Sequence, residues 1–116
     1  MFVVSKDWTL RATVRAELLH AGVEALGMES VDDLARTVAE GKMPSAVVLD
    51  VAGDAALSAP ATRAAVANLA KRVPVVVVAS RVEPPPELEG AAVIYRPARV
   101  GEIVARVQQL LAGQAA

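Results

Sequence analysis

Asp50 closes the apolar run Ala46-Val47-Val48-Leu49-Asp50, and Arg96 closes the run Val93-Ile94-Tyr95-Arg96 just before Pro97. Runs this apolar are the pattern of parallel strands covered on both faces. A carboxylate or a guanidinium at the carboxyl end of such a strand emerges where open α/β sheets build their binding crevices. Together the two groups can form an ion pair. A third run, Pro74-Val75-Val76-Val77-Val78-Ala79-Ser80, ends in the small residues Ala79 and Ser80.

The elements that must carry these ends alternate along the chain as strand and helix, which argues for a parallel sheet with crossover helices. Phe2–Ser5 reads as a short strand, and Asp7 as the cap of a helix over Thr9–His20 with Leu10, Val14 and Leu18 inward. Gly22 is expected to stop that helix. Val23–Met28 reads as an edge strand. Ser30-Val31-Asp32-Asp33 is a capping-box pattern opening a helix over Val31–Glu40. Ala46–Leu49 is the central strand, and Pro60 suits the first turn of a helix to about Lys71. Val75–Ala79 and Ala92–Tyr95 complete the strands. Val100–Leu111 is the last helix, with Gly113 at its end. Between Arg81 and Gly90 the run Pro84-Pro85-Pro86 leaves room for about one helical turn at Glu87–Glu89, so a full crossover helix is not expected there.

With 116 residues the chain has room for one domain and one core, taken as 1–113 followed by a short tail, 114–116. A hydrophobic fraction of 54% and a mean hydropathy of +0.42 are carried by Ala and Val. No apolar run reaches the ~20 residues of a membrane span, and the amino terminus lacks a signal-peptide pattern. The cytoplasm is the expected compartment. The chain has no cysteine, which excludes disulfides and thiolate metal sites. A net charge of −1 gives no reason to expect affinity for nucleic acid or anionic lipid.

The order of these signals resembles the receiver domain of bacterial response regulators. Asp50 falls at the phosphoacceptor position, and Arg96-Pro97 falls where the family has Lys-Pro, often with a cis peptide bond. Ala21–Glu24 and Glu29–Leu34 resemble the second strand and the entry to the second helix. The resemblance implies a CheY-like, flavodoxin-like α/β sandwich: a five-stranded parallel sheet in the order 2-1-3-4-5, with the fourth helix shortened or missing.

The departures are specific. Where the family has two adjacent acids to bind magnesium, this chain has Ser5 and Lys6, and only Asp7 is acidic, one position late. The family's Ser/Thr aligns with Ala79, with Ser80 one residue beyond. Its switch aromatic aligns with Val93, two positions before Tyr95. These departures imply that Lys6 and Arg96 flank Asp50 and substitute for the ion, in an ion-pair cluster drawn from Lys6, Asp7, Ala79, Ser80 and Arg96. No cofactor is then expected.

Plainer roles are open for each residue. Asp50 could simply accept backbone N–H bonds, Lys6 could be a solvated surface residue, and Ser80 a loop cap. Trp8 could pack at the start of its helix or form an exposed contact. His20 is expected to be solvated.

The leading expectation is a pseudo-receiver, a signalling protein-interaction domain that is not an enzyme and acts without magnesium-dependent aspartyl phosphorylation. Its partner, a signalling protein or a second copy, would meet the face of the last strand and helix, with Tyr95, Val100, Ile103 and Val107 as contact candidates. One alternative is an active phosphoacceptor receiver with magnesium on Asp7 and Asp50. A second is a small nucleotide-binding or enzymatic α/β domain, disfavoured because the chain has no Gly-rich phosphate loop and no nucleophile beside a base.

Overall fold

Three strands are apolar at nearly every position because both of their faces are covered. They are β1 (Phe2–Val4), β3 (Val47–Asp50) and β4 (Val75–Ala79), buried along their whole length. The edge strands β2 (Leu26–Met28) and β5 (Ala92–Tyr95) are partly exposed. The computed structural model describes residues 1–82 and 88–115. All five strands are parallel, in the order β2-β1-β3-β4-β5, as the resemblance implied. Four helices accompany them: α1 (Trp8–His20), α2 (Val31–Ala39), α3 (Pro60–Ala70) and α4 (Val100–Ala115), with a short 3-10 helix at Ala55–Ser58.

Strand alternation divides the core into two layers. On one face Phe2, Val4, Leu49 and Val77 pack with Val31 and Leu34 of α2 and with Val66 and Leu69 of α3. On the other, Val3, Val48, Val76 and Val78 pack with Val14 and Leu18 of α1 and with Ile103, Val104 and Val107 of α4.

The helix ends follow local chemistry. Asp7 Oδ1 accepts from the backbone N–H groups of Thr9 and Leu10 at 3.0 and 3.2 Å, capping α1. At the other end Gly22 takes φ +85°, and the N–H groups of Gly22 and Val23 return to the carbonyls of Leu19 and Leu18. That closure is a Schellman motif. It also explains why β2 is shorter than expected. The Val23 N–H belongs to the helix end, and the Ala25 carbonyl accepts from Arg15 Nε at 3.0 Å.

Gly113 does not end the last helix, which continues to Ala115. A right-handed glycine costs only about 1 kcal/mol relative to alanine, too little to terminate an otherwise favourable helix. Among the described residues no helix joins β4 to β5. The proline run at 84–86 and the start of the expected turn at Glu87 lie outside the described residues.

Leu34 is 1% exposed at the junction of α2 with the sheet, whereas Val82 is 90% exposed. Leu34→Ala is expected to cost about 2–5 kcal/mol, and Val82→Ala to stay within about 0.5 kcal/mol. Urea denaturation of the two variants checks the contrast.

Candidate functional site

The strand order turns back beside β1, so the crevice beyond its carboxyl end and that of β3 is where polar groups can gather. Ser5 follows β1, Asp50 ends β3, and Arg96 follows β5. Both Ser5 and Asp50 are 1% exposed. The Ser5 hydroxyl donates to Asp50 Oδ2 at 2.7 Å, and Arg96 Nη2 donates to the same oxygen at 2.5 Å. The other carboxylate oxygen, Oδ1, accepts from the Ala52 N–H at 3.2 Å. Three donors therefore satisfy a carboxylate that burial would otherwise make very costly.

The donors are themselves positioned by neighbours. The Asp7 N–H donates to Ser5 Oγ at 3.0 Å, so the hydroxyl is held from one side while its own proton faces Asp50. Arg11 Nη1 donates to the Ser5 carbonyl at 2.8 Å. The Arg96 backbone N–H donates to the Ala79 carbonyl at 2.8 Å, extending the β4–β5 ladder by one bond and aiming the guanidinium back across the sheet. The Arg96 side chain is 36% exposed, and its Nε is buried without a hydrogen-bond partner. The Arg96–Pro97 peptide is cis.

Several expected members lie elsewhere. Lys6 is exposed and makes no ion pair with Asp50. Alternation past β1 turns Ser5 inward and therefore turns Lys6 outward. Asp7 is an exposed helix cap, its Oδ1 committed to α1. Ser80 Oγ accepts from the Val82 N–H at 3.0 Å, a local turn away from Asp50. Ala79 contributes only its carbonyl. Tyr95 is 39% exposed, with the Arg81 guanidinium 5.1 Å above its ring. Ile103 and Val107 are 0% and 1% exposed, so neither can form a docking surface. They are the inward stripe that seats α4. Val100 is half-buried against the same core. His20 is exposed at the end of α1.

Two participants were not anticipated. Ser5, which in the sequence stands only where an acid is missing, is one: a small polar residue directly after a buried strand is itself a signal. Asp54 is 8% exposed. It accepts from the Val31 N–H at 2.8 Å and from the Ala56 N–H at 3.1 Å, tying the loop after Asp50 to the start of α2.

No protein-family model matches the chain, and no curated protein sequence matches it. Solved structures do. The N-terminal domain of a response regulator/sensory box/GGDEF three-domain protein from Carboxydothermus hydrogenoformans is 17% identical, with a TM-score of 0.73 covering 98% of this chain and 94% of that one. A Francisella response-regulator receiver domain is 14% identical, with a TM-score of 0.73 over 97% and 96% of the two chains. Vibrio cholerae chemotaxis protein CheY4 is 15% identical, with a TM-score of 0.71 over 94% and 95%. The chain has the receiver-domain fold.

Receiver folds are associated with magnesium, and the residues present here do not fit that ion. Magnesium takes near-octahedral oxygen ligands at about 2.0–2.1 Å. The cluster offers one carboxylate, already bonded by a guanidinium and a hydroxyl. Among the described residues no group of three acidic, His or Cys side chains could hold a metal.

Removing Arg96 would leave a buried carboxylate without its paired cation. Because Arg96 is partly solvated, Arg96→Ala is expected to cost about 1–3 kcal/mol, less than a fully buried pair would. Adding Asp50→Asn to Arg96→Ala is expected to recover part of that loss. A double-mutant cycle by urea denaturation checks this, and strictly additive costs would refute the coupling.

Proposed function

We propose that this chain is a receiver-fold signalling module that acts through protein contact and does not rely on magnesium-dependent phosphorylation of Asp50. The observation supporting this is the engagement of Asp50 Oδ2 by both Arg96 and Ser5. Phosphoryl transfer to a carboxylate needs an oxygen free to attack in line and neutralisation of the charge on the transferred group. Here Oδ2 is committed to two internal donors and Oδ1 accepts from the Ala52 N–H. The cation paired with it, Arg96, is a guanidinium whose charge is already balanced by Asp50. Transfer would have to break that pair and then proceed without a bound divalent ion.

The module carries out no reaction of its own and works in the cytoplasm. Its signalling partner meets the β5 side of the sheet, where Val93 and Tyr95 are each 39% exposed. These residues alternate with buried ones along β5 and point to the face that carries α2 and α3. Arg81 stacked on Tyr95 adds a cation at the rim. Aromatic and arginine side chains grouped in this way are favoured anchors of protein contacts.

Incubation with acetyl phosphate and magnesium is expected to leave the intact mass unchanged, and beryllofluoride is expected to leave no bound adduct. A stoichiometric phosphoryl adduct that disappears in Asp50→Asn would overturn the proposal and make the chain an active phosphoacceptor.

A further inference from the structure

The edge of the sheet opposite β5 carries a second pair of features. Trp8, the one tryptophan, is 70% exposed at the first position of α1. An indole buries more apolar area than any other side chain, so leaving one in water is costly unless something covers it. Farther along the same helix lies an open cavity of about 610 Å³, walled by Ala12, Ala16, Leu19 and Leu26, with Arg15 and Glu24 at its sides. Leu19 and Leu26 are 63% and 58% exposed, so this hollow presents apolar side chains at the surface.

The two features share one side of α1. At about 100° per residue, Trp8, Ala12, Ala16 and Leu19 fall within about 80° of one another. Val14 and Leu18 occupy the opposite, buried side. Trp8 and Ala16 are about 12 Å apart along the axis, at 1.5 Å per residue.

We infer that a second copy of this chain docks on the α1–β2 edge, each copy placing its Trp8 indole in the other's hollow. A two-fold axis crossing α1 at Ala12 reverses the partner helix. Trp8 of each copy then comes opposite Ala16 of the other. Projection and hollow lie on one surface, separated by the distance that a self-complementary interface requires, and both are used twice. The small side chains at positions 12 and 16 allow the helices to approach closely, and the cavity is large enough for an indole.

The side walls suit that occupant. Arg15 is held by its Nε bond to the Ala25 carbonyl, which leaves its planar guanidinium free to stack on the incoming ring. The Arg15 and Arg11 stems lie across Gly27, within 3.1 Å of where a Cβ would sit, so glycine lets them lie flat against β2. Glu24 is exposed and offers an acceptor for the indole N–H. The contact does not depend on the state of Asp50, and it leaves the β5 face free for a different partner.

Sedimentation equilibrium over rising concentration of the intact chain, with tryptophan emission recorded in parallel, tests the inference. The expected result is a monomer–dimer equilibrium in which the emission shifts to shorter wavelength and acrylamide quenching falls as dimer forms. Trp8→Ala and Ala16→Arg, both at exposed positions, are each expected to raise the dimer dissociation constant about 30-fold or more. Tyr95→Ala is expected to leave it unchanged. Far-UV circular dichroism checks that each variant is folded, and Trp8→Ala is sufficient should Ala16→Arg fail to fold. A monomer at every concentration would overturn the inference. So would a dimer indifferent to Trp8→Ala, or one lost in Tyr95→Ala.

Discussion

A carboxylate with 1% exposure in a valine-rich sheet is stable only while a cation and hydrogen bonds replace the water it has lost. That constraint organises the carboxyl edge of this molecule. Asp50 lies on β3, its hydroxyl partner follows β1, and its guanidinium partner follows β5. One side chain therefore ties together three strand ends that are far apart in sequence. The tie reaches past β4, whose last residue, Ala79, is small. The Ala79 carbonyl holds the Arg96 backbone at that strand end.

An arginine differs from a divalent ion in ways that matter for signalling. It is attached to the chain, its charge is permanent, and it offers donors where a metal would accept electron pairs. A metal-dependent site responds to whatever ligand or group joins the ion. On the proposed reading, a site closed by Arg96 and Ser5 has no such variable. Its state is set by folding, and a ligand could change it only by binding more tightly to a form in which the pair is broken. On that reading the crevice is a structural tie, and the activity belongs to the molecule's surfaces.

Much of the fold was legible because its determinants are local. The valines of β4, the Asp7 cap, Gly22 at the end of α1 and Pro60 at the start of α3 each carry a short-range rule, and the elements begin or end where those residues stand. The site was less legible because it depends on which way single side chains turn. Lys6 and Ser5 are adjacent, so one step of alternation exchanges them between crevice and solvent. Charge drew attention to Lys6, whereas burial selected Ser5. The resemblance suggests Ile103 and Val107 as contact residues, but both are buried. The apolar stripe of α4 needs both to cover Val48, Val76 and Val78. Asp54 was not legible because its partner, the Val31 N–H, lies on another element.

The two edges of the sheet expose apolar groups for different reasons. On β5, Val93 and Tyr95 are exposed, and the exposed face belongs to the sheet. On β2 the strand is too short, and too closely guarded, to recruit another strand. Arg15 already occupies the Ala25 carbonyl, and the arginine stems lie over Gly27. Charged side chains laid along an edge are a common defence against strand addition. Contact at this edge must therefore be made by side chains standing on α1. Helix α1 carries apolar groups on two sides: Val14 and Leu18 satisfy the core, and Trp8 and Leu19 do not. A helix with only a core to cover would need apolar residues on a single stripe. The second apolar side is surplus to folding, and burial by another surface is the physical account that uses it.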